Sequence, residues 1–238
     1  TIDKRHMQEQ VLDSNPIERE RGITIKLAPV RMIYREYILN LIDTPGLVDF
    51  SYEVSRSLAA CEGILLVVDA TQGIQAQTLS HMQLIKKHNL KVIPIINKID
   101  LELVKIKEVK KQIASTFGFQ EEEILEISAK MGINIDKVLE AIINRIPPPG
   151  NDLTKPFRAL IFSSQYDTHK GVIVYIRVFE GEVKKEDLYI YMSKIIFFPV
   201  EIGIFSPQMK TISSLKAGEV GYIATGLKDL TLAKVGDT

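Results

Sequence analysis

Cysteine is almost missing from this sequence: Cys61 is the one such residue in 238. A lone thiol cannot close an internal disulfide, which suits a reducing compartment and makes a small buried side chain the ordinary reading of Cys61. Net charge is missing too, because 30 lysines and arginines balance 30 aspartates and glutamates. No global field therefore draws the chain to nucleic acid or to an anionic membrane, although a local patch could still dock on RNA. No apolar run approaches the roughly 18 residues that a transmembrane helix needs, and no signal peptide is expected. Internal repeats and low-complexity tracts are absent as well. The chain opens on Thr1 and stops at Val235-Gly236-Asp237-Thr238, on the approach to what reads as another strand, so it is expected to be a piece of a longer protein.

What is present is a set of apolar strands that end in polar clusters. Leu39-Asn40-Leu41-Ile42 reads as a buried strand running into Asp43-Thr44-Pro45-Gly46. Residues 92–96 form a second such run, ending in Asn97-Lys98-Ile99-Asp100, and residues 124–127 a third, ending in Ser128-Ala129-Lys130. In an open α/β sheet the carboxyl ends of the strands are where ligands bind.

Taken in order, residues 1–21 are charged, and Glu18-Arg19-Glu20-Arg21 reads as a solvated face. Residues 23–34 and 37–42 predict two strands paired through a tight turn at Arg35-Glu36, which no glycine or asparagine marks. A helix is expected from a cap at Asp49 or Ser51 to about Ala60, then a strand over 64–69 buried on both faces. Helical spacing recurs over 75–88, 101–117 and 134–146, and three prolines stop the last of these. The lysines at 105, 107, 110 and 111 read as a solvated face of the second. Strands alternating with helices of about 10 to 15 residues imply βαβ units and a mostly parallel sheet. Residues 1–146 are thus expected to be one α/β domain, 147–156 a stiff proline-rich linker, and 157–238 an antiparallel barrel of short strands at 157–162, 172–179, 188–192, 200–205 and 220–224.

The residue types suggest a chemistry. A guanine ring offers an imino hydrogen and an exocyclic amino group on one edge, and one carboxylate such as Asp100 accepts from both. Adenine lacks that pair, and leaving buried polar groups unpaired costs a competing ligand a factor of roughly 10⁴ or more. Asn97 would hold the other edge of the base and tie neighbouring loops, the stem of Lys98 would cover the ring plane, and a backbone amide of Ser128-Ala129-Lys130 would meet the base oxygen. Asp43 would hold magnesium through water, the Gly46 amide would approach a γ-phosphate, and the Thr24 hydroxyl would ligate the same metal. Against these stand the plain alternatives of polar turns after strands and an ordinary strand threonine. The three clusters in this order argue for the chemistry.

Arg19 to Ile25 (RERGITI), Asp43-Thr44-Pro45-Gly46, Asp49 to Leu58 (DFSYEVSRSL) and Ile146-Pro147-Pro148-Pro149 resemble the translational GTPases, and within them the elongation factor 4 (LepA) subfamily with its mitochondrial counterpart. Tyr166-Asp167, Lys170-Gly171-Val172, Pro207 and Gly218 to Tyr222 extend the likeness through the second domain. The resemblance implies an α/β, P-loop NTPase-type GTP-binding domain truncated at its start, then an elongation-factor β-barrel incomplete at its end. It also implies GTP/GDP and Mg2+ as cofactors, with Asp43, Thr44, Pro45, Gly46, Asn97, Lys98, Ile99, Asp100, Ser128, Ala129 and Lys130 at the nucleotide and Thr24 and Asp43 at the metal. The expected role is GTP hydrolysis by a monomer on the ribosome, against rRNA and ribosomal proteins and without DNA, in back-translocation or elongation fidelity. The expected place is the bacterial cytoplasm, with a peripheral contact at the inner membrane, or the mitochondrial matrix.

Three departures from the family pattern matter. None of the 14 glycines belongs to a G-x-x-x-x-G-K-[ST] run, so the loop that cradles phosphates is not in this stretch and would precede Thr1. Leu47 stands where the family places the histidine that orients the attacking water, and leucine neither donates nor accepts a hydrogen bond, so hydrolysis is expected to be slow or absent. Glu186 stands where the family turns on glycine, and the turns near Arg35 and Ser193 are shortened.

Overall fold

The computed structural model describes residue 12 and residues 16–238, so most of the charged segment 1–15 lies outside the described residues. Contacts divide the chain into two compact units, residues up to Ala60 together with Pro149–Thr238, and Cys61–Pro148.

In the first unit a short helix α1 (Pro16–Arg21) precedes the hairpin of β1 (Ala28–Tyr34) and β2 (Tyr37–Asp43). The charged run is not wholly solvated: Glu18 is only 3% exposed. Its Oε1 accepts from the amides of Ile25 at 2.9 Å and Lys26 at 3.0 Å, which offsets the desolvation of the carboxylate. Those two amides are thereby taken from any ladder, and the strand expected from residue 23 starts only at Ala28.

The hairpin register runs from Ala28↔Asp43 to Tyr34↔Tyr37 and leaves Arg35-Glu36 as a two-residue turn. Arg35 takes φ +53°, a conformation that glycine or asparagine adopts more readily, yet the turn carries neither residue. β1 and β2 form a two-stranded ladder of their own. The strand predicted as buried is half-buried, with Tyr37 and Ile38 exposed. Its apolar side is covered where Ile42 and Leu27 pack with Ala60, Phe162 and Val220, and Arg31 pairs with Glu219 at 2.9 Å. A 3-10 turn, Val48–Phe50, then leads into α2 (Ser51–Leu58). Phe50 occupies the cap position and neither Asp49 nor Ser51 does, so this helix starts without the expected side-chain bond.

In the unit Cys61–Pro148, β3 (Gly63–Asp69), β4 (Lys91–Asn97) and β5 (Leu125–Glu126) run parallel in that order. Helices α3 (Ala76–Lys87), α4 (Ile106–Phe117) and α5 (Ile135–Arg145) connect and follow them. Val68 and Ile96 pack with Val109, Ile113 and Ile124, while Ile93, Ile95 and Ile127 pack with Val138 and Ala141. Two covered faces explain why β4 reads as a continuous apolar run, whereas β3, expected to be buried on both faces, buries Leu66 and Val68 and leaves Val67 55% exposed. α4 begins at Ile106 and not at 101, because Leu103 takes φ +69° and stands fully exposed, a backbone that a right-handed helix cannot contain. Gly118 at φ +82° ends it, donating to the Ala114 carbonyl at 2.9 Å. Cys61 is half-buried rather than buried.

Beyond Pro149 every named ladder is antiparallel. The strands are β6 (Arg158–Asp167), β7 (Gly171–Glu180), β8 (Glu182–Val183), β9 (Leu188–Ile190), β10 (Ile195–Phe197), β11 (Glu201–Phe205), β12 (Met209–Thr211), β13 (Leu215–Lys216) and β14 (Val220–Ala224). The main sheet has the order β12-β11-β14-β7-β6, with side ladders β10-β9 and β13-β8. Strands β8, β10, β12 and β13 went unforeseen, since two or three residues carry too little alternation to read. Glu186 replaces a turn glycine at little visible cost, its amide donating to the Lys184 carbonyl at 2.9 Å.

Ile96 is wholly buried one residue before the polar cluster of β4. Ile96→Ala is expected to cost about 2 to 5 kcal/mol in a denaturant titration, by lost transfer energy and the cavity left behind.

Candidate functional site

The parallel register sets Asp69 level with Asn97, and β5 pairs with β4 one step earlier, so three polar strand ends share one edge of the unit Cys61–Pro148. Backbone bonds lock the ends together. The Ala70 amide donates to the Asn97 carbonyl at 2.9 Å, the Ile127 amide to Ile96 at 2.8 Å, and the Ile99 amide to Ile127 at 3.2 Å.

Asn97 adds a side-chain tie. Its Oδ1 accepts from the Lys98 amide at 2.8 Å and from the Ala129 amide at 2.9 Å, so one oxygen joins the cluster after β4 to the cluster after β5. Of the backbone amides of Ser128-Ala129-Lys130, one of which was expected on a base oxygen, that of Ala129 is thus engaged within the protein. Ser128 is completely buried; its backbone pairs with Ile133, and its Oγ accepts from the Met131 amide at 3.0 Å. Its side chain closes the loop, while Ala129 and Lys130 lie exposed on the outside of the turn. Asp100 is exposed, where both carboxylate oxygens can meet a ligand, and Ile99 is half-buried beneath it in the turn.

Lys98 takes φ +69°, and its Nζ lies 2.7 Å from Asp69 Oδ2. The other oxygen of Asp69 accepts from the Thr71 amide at 2.8 Å and the Thr71 hydroxyl at 2.6 Å. Burial alone would push the Asp69 carboxyl up, but the bonds from Lys98 and Thr71 outweigh it and hold the group below its ordinary 3.8. Sequence reading passed over Asp69, although the signal was there: the apolar run 64–68 also ends in a carboxylate. A nearby cavity of about 580 Å³, lined by residues such as Thr71, Glu102, Lys105 and Gln112, contains none of the predicted nucleotide residues.

The predicted phosphate and metal residues belong to the other unit. Asp43 ends β2 opposite Ala28, four residues beyond Thr24, and both Asp43 and Thr24 are half-buried and engaged in interactions. The Gly22 to Lys26 segment that carries Thr24 is the one held by Glu18, a second residue that sequence reading assigned to solvent. Thr44 is half-buried, Pro45 is buried, and Gly46 is exposed with open space where a side chain would stand. Leu47, half-buried, leads into the 3-10 turn, its carbonyl accepting from the Phe50 amide at 3.1 Å. Among the described residues no three His, Cys, Asp or Glu side chains cluster as a metal cage. A hydroxyl and a carboxylate nonetheless suit magnesium, which keeps several waters and takes only one or two protein oxygens beside phosphate.

Two outcomes follow from this geometry. Removing the shared acceptor with Asn97→Ala is expected to cost about 1 to 3 kcal/mol and to speed hydrogen exchange at the Lys98 and Ala129 amides. Because the folded Asp69 pKa is depressed, its contribution to stability is present above the ordinary 3.8 and is lost as pH falls through the lower folded value. The Asp69 side-chain carbonyl signal is expected to titrate below 3.8 in an NMR pH series.

The model of the elongation factor Tu GTP binding domain matches residues 1–148. Elongation factor 4 of Thermotoga maritima is 51% identical over 244 residues, covering 100% of this chain and 39% of its own length. Elongation factor 4 of Alkaliphilus metalliredigens is 53% identical over 243 residues, covering 100% of this chain and 40% of its own. The chain thus spans about two fifths of the length of these curated relatives. A bacterial selenocysteine-specific elongation factor superposes with a TM-score of 0.77 at 23% identity, over 95% of this chain and 40% of that one. The elongation factor SelB of Methanococcus maripaludis, solved with the GTP analogue GppNHp, gives 0.73 at 23% identity, over 90% and 48%. These two likenesses speak for the fold.

Proposed function

The chain belongs to the translational GTPases, and from that premise we propose that it is the nucleotide-binding and adjoining antiparallel part of an elongation factor 4-type protein that binds GTP and GDP and acts on the ribosome. The observation that carries the reading is the Asn97 oxygen that binds the loops after β4 and β5 into one preformed edge beside an exposed carboxylate. A preorganised edge of this kind spends little on ordering when a base arrives.

In this reading Asp100 accepts from the imino and amino groups of guanine, Asn97 keeps the two loops in register, and the stem of Lys98 covers the ring. The Ala129 backbone and Lys130 line the far side, with the buried Ser128 and the half-buried Ile99 as supports. Asp43, Thr44, Pro45 and Gly46 face the phosphates. Thr24 and Asp43 would hold magnesium, which neutralises phosphate charge when bound. In this reading the ribosome is the partner and the bacterial cytoplasm the place of action, with the step lying in back-translocation or elongation fidelity; the relatives' name, elongation factor 4, supports a part in elongation.

Leu47 favours a second reading: a factor that binds guanine nucleotides and ribosomes without hydrolysing GTP. An aliphatic side chain cannot orient a water molecule by hydrogen bonding.

Titrating the full-length protein with labelled GDP and ADP tests the first reading. Guanine-selective binding is expected, and equal affinity for both nucleotides refutes it. Asp100→Asn is expected to weaken GDP binding about 10- to 100-fold, the range of a lost charged hydrogen bond. Ribosome-stimulated hydrolysis separates the two readings: little turnover by the natural protein, with a rise in Leu47→His, marks position 47 as the block, and brisk turnover with leucine in place rules the silent factor out.

A further inference from the structure

Lysine is a poor cover for a ring plane unless something holds it, because its four-carbon stem samples many rotamers and loses them on burial. In this structure both ends of Lys98 are held. At the root, the backbone sits at φ +69° with its amide on Asn97 Oδ1 at 2.8 Å. At the tip, Nζ lies 2.7 Å from Asp69 Oδ2. Asp69 is itself fixed: its second oxygen takes two bonds from Thr71, and its strand end is level with Asn97 in the parallel register. The post that receives the lysine therefore comes from a different strand than the lysine, and the stem spans the gap between the ends of β3 and β4.

We propose that Asp69 is a positioning residue for purine binding, anchoring the Lys98 ammonium so that the side-chain stem is already laid out as the cover of a base plane before ligand arrives. The inference rests on the nucleotide reading given above and adds Asp69, with Thr71 behind it, to the site. Asp69 acts through Lys98 and does not touch the base. A stem lying over a ring is indifferent to the groups on the ring's edge, so the consequence of losing the anchor must be the same for every purine. Asp100 has the opposite signature, because it reads one edge.

The test compares GDP and IDP binding to the full-length protein and to Asp69→Asn, Lys98→Met and the double variant. Asn at 69 keeps the shape and an acceptor for Thr71 but loses the charge that holds the ammonium. The expected result is an affinity loss of about three- to tenfold for Asp69→Asn, equal for the two nucleotides, with no further loss when Asp69→Asn is added to Lys98→Met. In parallel, the Lys98 side-chain carbon and nitrogen NMR signals without nucleotide are expected to move toward those of a free lysine in Asp69→Asn, which a purely structural role for Asp69 would not cause. Unchanged affinity in Asp69→Asn, a loss confined to GDP, or additive losses in the double variant would overturn the inference while leaving guanine binding in place. If the natural protein shows the anchored Lys98 signals yet binds no guanine nucleotide, the nucleotide reading fails and takes this inference with it.

Discussion

One amide oxygen organises the functional edge of the unit Cys61–Pro148. Asn97 Oδ1 accepts two backbone amides from different loops, those of Lys98 and Ala129, and both bonds are short. An asparagine at a strand end is ordinarily a turn former that satisfies its own neighbourhood. Here it reaches across to the next strand's loop as well, so the geometry of NKID and of SAK cannot vary independently. The backbone bonds from Ile127 to Ile96 and from Ile99 to Ile127 act in the same direction and fix the turn that carries Asp100.

Two aspartates at neighbouring strand ends then take different parts because their surroundings differ. Asp69 has both oxygens occupied within the protein and a pKa held below the ordinary range by Lys98 and Thr71 against the opposing effect of burial. Asp100 is exposed in the turn that follows β4. A carboxylate already satisfied is a support, and one exposed to solvent keeps its oxygens open to other donors. Glu18 in the other unit resembles Asp69 in this respect, a nearly buried acid whose bonds to two backbone amides hold the segment that carries Thr24.

Position 47 is a place where the local backbone asks little of its side chain. Leu47 leads into the 3-10 turn through ordinary extended geometry, and nothing about the turn requires a side-chain hydrogen bond there. Leucine at this place is compatible with the local fold.

The strand ends and the parallel order implied by alternating strands and helices were legible in the amino-acid sequence, because apolar runs bounded by polar residues at β4 and β5 state their own burial and their own ends. What similarity of letters could not convey were contacts between residues far apart in the chain. That Glu18 is buried, that β1 begins late because Glu18 takes two amides, that Lys98 is pinned to a residue on another strand, and that the short strands β8, β10, β12 and β13 exist at all depend on partners brought close only by folding. Local pattern determines which segments are apolar and where they stop, since that is written in neighbouring residues. Which polar group meets which is decided by register and packing, since a hydrogen bond needs its two atoms within about 3 Å and no spacing along the chain specifies that distance.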